Sequence, residues 1–327
     1  MARIASSCAV LAAAVVLVSC AQAAPLRTQS GYNWLQGIEQ RAIDNGVSPA
    51  TVHEALDSFT PNPRVVELDE KQPETTVAFA AYRRHTVTAA RVGKGAALRR
   101  RYAAELDAIE ARTGVPPQIT VALWGIESSY GGNMGDFETV NSLATLAYQG
   151  RRADFFQSQL FAALHILDQE HMNADELRGS WAGAMGQCQF MPTTYLKYAV
   201  DGDGDGRRDI WNDPVDVMAS IANYLAVEGW RRDQTWGREV RLRRPVVADE
   251  VGLGHARSLA EWSKQGVTRI DGSPLSRRDL QASLIQPDGA EGPSFLVYDN
   301  FRALMRWNRS TYFATAAGLL ADEIRRN

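Results

Sequence analysis

Apolar positions recur along most of this chain with the spacing of helices. Trp34, Leu35, Ile38 and Ala42 share one helical face, and Asn45-Gly46 ends it. Ser48-Pro49 opens another helix, with the serine as cap and the proline in the first turn. From Ala97 to Ala111 the pattern predicts one charged helix. Leu98, Tyr102 and Leu106 lie on its inner side, and Arg99, Arg100 and Arg101 are solvated. The run from Thr113 to Pro117 breaks the pattern. A stripe of Ile119, Leu123, Ile126 and Tyr130 comes next, with a stop expected at Gly131-Gly132. Phe156, Leu160, Leu164 and Leu167 mark a further amphipathic helix. Asp213-Pro214 starts one with Val217, Ile221 and Leu225 inside and Gly229 past its end. The periodicity changes at about Arg238. From Val240 to Val247 residues alternate or are β-branched, and Gly and Pro punctuate the chain from there to about Leu296, which predicts a small β-rich insertion. Phe301 to Ile324 reads as one closing helix.

Against this background Glu127 stands out. It lies four residues after Leu123 and three after Trp124, so an aliphatic and an aromatic side chain can crowd it. A carboxyl desolvated in this way favours its neutral form, as a general acid working near neutral pH requires. The plainer alternative is a surface glutamate in a local pair. Downstream, the run from Gly183 to Tyr195 joins small residues, the amides Gln187 and Gln189, and the aromatics Phe190 and Tyr195. Phe190, Met191 and Tyr195 could give sugar rings an apolar wall, with core packing as the alternative, preferred for Met191. Glycosidases generally need a second group besides the acid, and Asp136, Glu138 and Asp168 are present without any supporting spacing.

Asp201, Asp203 and Asp205, followed by Gly206 and Arg207, match the calcium-loop pattern. Carboxylates stand at positions 1, 3 and 5, glycine at 6 and a backbone carbonyl at 7. Asn212 stands at position 12, where a bidentate glutamate is usual, and Asp209 and Asp213 are weaker candidates. Zinc-protease, phosphate-loop and nucleophile-elbow motifs are missing from the sequence.

Taken in order, the segment around Glu127, Asn141 to Ala147, Arg151 to Phe156, the Gly183 to Tyr195 run, the Asp201 to Trp211 loop, Ala222 to Leu225, and Asp299 through Tyr312 resemble the lytic murein transglycosylase B family. The resemblance covers most of the chain and is strongest from about Val121 to Trp230. It implies a mainly α fold: a lysozyme-like catalytic core (114–237), an N-terminal helical region (28–113), a small β-rich subdomain (238–297) and a C-terminal helix rejoining the core (298–327). It also implies cleavage of the β-1,4 bond between N-acetylmuramic acid and N-acetylglucosamine in peptidoglycan. In that chemistry one glutamate, here Glu127, serves as acid and then base, and the muramoyl C6 hydroxyl closes a 1,6-anhydro ring. Gln189, Tyr224 and Asn308 would line the cleft, Arg151 and Arg152 would meet stem-peptide carboxylates, and Asp216 would complete the calcium shell. A structural calcium and no organic cofactor are expected. Rival readings are a hydrolytic muramidase and a peptidoglycan-binding protein without turnover.

Composition adds bounds. A formal net charge of -3 gives no electrostatic footprint for nucleic acid, and the expected partners are glycan strands and stem peptides, met by a monomer. The first 23 residues read as a secretory leader, with Arg3 before an apolar stretch from Cys8 to Val18. Cleavage after Ala23 would give a soluble periplasmic protein. Lipidation at Cys20 would instead anchor it to the outer membrane. Either way Cys188 is the one cysteine left in the body of the protein, so no internal disulfide is expected.

Overall fold

The computed structural model describes residues 29–71 and 77–327, so the leader and its two processing sites lie outside the described residues. Helices dominate the first two thirds: α1 (Gln29–Asp44), α2 (Pro49–Leu56), α3 (Pro63–Glu70), α4 (Phe79–Thr86), α5 (Ala89–Arg101), α6 (Ala103–Thr113), α7 (Pro117–Ser128), α8 (Thr139–Gln149), α9 (Ala153–Glu170), α10 (Pro192–Tyr198) and α11 (Pro214–Val227). A short pair of strands, β1 (Phe137–Glu138) and β2 (Arg178–Gly179), lies among them. The sheet-bearing segment holds β3 (Gly237–Leu242), β4 (Ala256–Ser258), α12 (Leu259–Lys264), β5 (Val267–Arg269), β6 (Gln281–Ile285) and β7 (Ser294–Val297). The chain closes with α13 (Asp299–Trp307) and α14 (Thr311–Arg326).

The caps explain several of these boundaries. Ser48 accepts from the Thr51 amide with Pro49 in the first turn of α2, and Asp213 accepts from the Val215 and Asp216 amides at the start of α11. Two expected single helices are split. The Ala97–Ala111 pattern breaks at Tyr102, whose backbone (φ −105°, ψ 32°) leaves the helical region between α5 and α6. The closing helix breaks at Asn308 to Ser310. Asn308 Oδ1 accepts from the Ser310 amide, and Ser310 Oγ caps α14 through Phe313. The expected stop at Gly131-Gly132 comes earlier. Ser129 (φ 53°), Tyr130 (φ 60°) and Gly131 (φ 77°) form a left-handed run directly after Ser128. Tyr130 thereby folds back over the helix: its ring occupies the space a Cβ on Gly125 would need, and its hydroxyl donates to the Arg91 carbonyl at 2.8 Å.

α7 lies at the centre. Ile119 through Gly125 are all buried, so the helix is enclosed on nearly every side rather than along one stripe. It packs against α5, α6, α11 and α14. The large sheet is antiparallel at every pairing, in the order β4-β6-β7-β3-β5. Strand alternation divides its side chains between two cores. Phe295, Val297 and Ile285 join the helical core, while Leu296 and Leu284 face a smaller one with Trp262, Leu259 and Val267. Among the described residues, no helix is long and apolar enough to cross a membrane.

Candidate active site

Glu127 is the penultimate residue of α7, at the edge where the buried helix meets the left-handed turn. Its carboxyl keeps partial exposure but is densely surrounded, and burial pushes its pKa from 4.5 up to about 7. The opposing influence is one hydrogen bond, from Trp307 Nε1 to Glu127 Oε1 at 2.6 Å. Trp307 is delivered by the break between α13 and α14. Its ring lies 4.8 Å from that of Tyr224 and 5.4 Å from that of Phe190. Tyr224, on α11, donates to the Arg306 carbonyl at 2.7 Å, which ties this helix to the end of α13. Two further groups feel the Glu127 charge: the half-buried Tyr82 of α4, and Cys188, whose thiol is pushed up chiefly by burial. Cys188 is fully buried, as a small core residue, with its sulfur against the Val217 carbonyl.

The loop from Gly183 to Met191 is closed by a two-way backbone bridge between Met185 and Phe190. Gln189 adopts φ 51°, and its amide donates to the carbonyls of Met134 (3.0 Å) and Gly186 (2.9 Å), joining the loop to the turn beyond Glu127. Gln187 is the more deeply placed amide. Its Oε1 accepts from Trp124 Nε1 at 2.8 Å and its Nε2 donates to the Trp211 carbonyl at 2.8 Å.

The remaining expected site residues fall in different places. Phe190 is buried behind Trp307 and Tyr224, and Asn308 is exposed next to Trp307. Tyr195 is fully buried, with its ring on Trp211 and its hydroxyl on the Arg208 carbonyl. It therefore packs the core and cannot offer a face to a sugar. Arg151 sits on the Asp69 backbone carbonyl (2.6 Å) and near its carboxylate (3.7 Å), and Arg152 lies over Phe155 and Phe156. Of the possible second carboxylates, Asp168 is held by Ser48 and Thr51, and Glu138 pairs with Arg178. Trp307 and Tyr82 were given no role from the sequence, and Gln187 was noted only as an amide of its loop. Trp307 lay within a recognised motif, but nothing local pointed it at a carboxyl 180 residues away.

In the acidic loop, carboxylate oxygens of Asp201, Asp203 and Asp205 all lie within 4.8 Å of one another. Each also accepts backbone amides: Asp201 from Gly204 and Gly206, Asp203 from Asp205, and Asp205 from Arg207. Three converging hard oxygen donors suit calcium. Asp216 differs. It is buried, and its two oxygens hold the two ends of the loop through the amides of Gly202 and Asp209, both at 2.6 Å. It belongs to the loop as a brace and stands outside the three-carboxylate cluster.

Comparisons with known proteins give this arrangement its setting. A family model described as the transglycosylase SLT domain matches residues 30–322. Membrane-bound lytic murein transglycosylase B of Escherichia coli K12 is 31% identical over 303 residues, covering 89% of this chain and 82% of that protein. The crystal structure of SltB3 from Pseudomonas aeruginosa in complex with NAG-NAM-pentapeptide is similar with a TM-score of 0.88 and 44% identity, covering 92% of this chain and 81% of that one. The Escherichia coli lytic transglycosylase SLT35 in complex with calcium gives a TM-score of 0.77 at 30% identity, over 89% of this chain and 92% of that one. The fold is that of a lysozyme-like lytic transglycosylase, an enzyme acting on peptidoglycan. The chain belongs to the transglycosylase SLT family.

Proposed function

We propose that the enzyme cleaves the bond between N-acetylmuramic acid and N-acetylglucosamine without water, using Glu127 as the single acid and base. The observation that carries this reading is the Glu127 carboxyl itself, raised to about 7 by burial and steadied by Trp307. At neutral pH a large share of it holds the proton that the leaving glycosidic oxygen needs. As that oxygen takes the proton, the bond to the muramoyl anomeric carbon breaks. The C6 hydroxyl of the same sugar then attacks that carbon and gives its proton to Glu127, which restores the acid. Of the carboxylates considered as partners, Asp168 is engaged with α2 and Glu138 with Arg178, which favours a nucleophile supplied by the substrate. Asn308 and Gln189 flank the site as polar contacts, with Tyr224 and Phe190 supporting Trp307 from behind. Arg152 is the freer of the two guanidinium groups for a stem-peptide carboxylate, since Arg151 is engaged by Asp69. A calcium ion at Asp201, Asp203 and Asp205 would stiffen the loop and take no part in bond cleavage.

Digestion of purified sacculi followed by mass spectrometry tests the reaction. Muropeptides ending in anhydromuramic acid, one water lighter than hydrolytic products, are expected. Reducing-end muropeptides as the main species would make the protein a hydrolytic muramidase.

A further inference from the structure

Gln187 bonds the chain on one side of Glu127 and lies against it on the other. Three residues before the acid, the Trp124 indole donates to Gln187 Oε1 at 2.8 Å. Four residues after it, Gly131 passes so close to the same oxygen that a Cβ there would collide with it. The left-handed φ of 77° at Gly131 favours glycine there, and a side chain at that position would have to displace the Gln187 amide. The other end of Gln187 is fixed to the exit of the acidic loop. Its backbone amide donates to the Ile210 carbonyl and its side-chain amide to the Trp211 carbonyl, both at 2.8 Å. Trp211 is in turn set by Asp209, whose Oδ1 accepts from the Trp211 amide at 3.0 Å and whose own amide is bound by Asp216. The side chain is buried and both its polar ends are satisfied, so it has one geometry and transmits it.

We propose that Gln187 is a positioning residue: it fixes the Glu127 turn against the exit of the acidic loop, and so sets where the acid meets the scissile bond. The proposal rests on Glu127 being the acid. Gln187 touches neither Glu127 nor the cleft through any hydrogen bond of its own, so its loss should alter the chemical step and leave binding alone.

Steady-state kinetics on soluble glycan strands of defined length, carrying stem peptides, tests this with Gln187→Met, Trp124→Phe and the double variant. Gln187→Met keeps side-chain length and removes both hydrogen bonds. Its kcat should fall about tenfold or more, as expected for a small misplacement of a catalytic group. KM should stay within about twofold, because the interaction acts on the transition state alone. Trp124→Phe should lower kcat in the same direction, and the double variant should be no worse than Gln187→Met, since both remove one link. A folded Gln187→Met with kcat within about twofold of the parent, or losses that simply multiply in the double variant, would overturn the proposal. If Gln187→Met does not fold, Trp124→Phe decides alone, by whether kcat falls at unchanged KM. Glu127→Gln is assayed alongside. Activity in that variant would remove the acid assignment, whereas an inactive Glu127→Gln beside an unaffected Gln187→Met removes only the role of Gln187.

Discussion

The acidic loop and the Glu127 site are both built around carboxylates, but in opposite ways. In the loop every carboxylate contact joins residues two to fourteen positions apart, and the clustered oxygens face solvent. Around Glu127 the neighbours come from α4, the Gly183–Met191 loop and the end of α13, and among the described residues the one hydrogen bond to the carboxyl spans 180 positions. In the loop, backbone amides hold the Asp201 carboxyl below its ordinary value. At the helix end, burial raises the pKa of the Glu127 carboxyl to about 7. The same functional group is thus shifted toward its ionised form in one place and toward its protonated form in the other. The difference lies in whether amides or apolar side chains surround it.

The largest test of that contrast is Glu127→Gln, which keeps shape and removes the transferable proton. Turnover should fall at least about a hundredfold, the usual scale of acid–base catalysis, with the fold retained by circular dichroism. Near-normal turnover would end the contrast. The same variant carries a stability signature. Between 4.5, the value in the unfolded chain, and about 7, the folded protein binds the Glu127 proton more tightly. The stability this contributes is present at low pH and is lost as pH rises through about 7. Melting temperatures of the parent should carry this downward component across the window, and those of Glu127→Gln should lack it.

A smaller effect is expected from Trp307→Phe. The ring stays, but the hydrogen bond that favours the ionised carboxyl goes, so the Glu127 pKa should rise further. The alkaline limb of kcat/KM, expected near pH 7 in the parent from the Glu127 carboxyl, should move upward. A limb that stays in place or moves down would mean that Trp307 acts mainly by excluding water.

The smallest effect on catalysis should come from the loop. Calcium should raise the melting temperature by a few degrees through mass action on the folded state. Asp201→Ala combined with Asp205→Ala should abolish that rise while preserving turnover at low temperature. Identical melting curves of the parent in calcium and in chelator would reduce the loop to an acidic turn.

The same contrast explains what could be read from the sequence. The faces of α1, α9 and α11 and the acidic loop were legible because each is written in contiguous residues. The breaks at Tyr102 and Asn308 were hidden because the apolar spacing runs straight across them; at Asn308 a local hydrogen bond to the Ser310 amide marks the break. The turn at Ser129-Tyr130 was hidden because neither residue advertises a left-handed backbone. A distant carbonyl, that of Arg91, fixes it. Glu127 was legible as a crowded acid, but its actual neighbour is Trp307, while Trp124 turns to Gln187. Tyr195 was misplaced because an aromatic in a functional loop looks the same whether it faces a sugar or the core.

The alternation in β7 has a consequence for how the molecule comes apart. Phe295 and Val297 belong to the helical core and Leu296 to the smaller one, so a single strand is a wall shared by two rooms. A slip of one residue would exchange every side chain between them and spoil both at once. Neither part can melt without stripping one face of the other. Heating should therefore produce one cooperative transition rather than two, despite the separate cores.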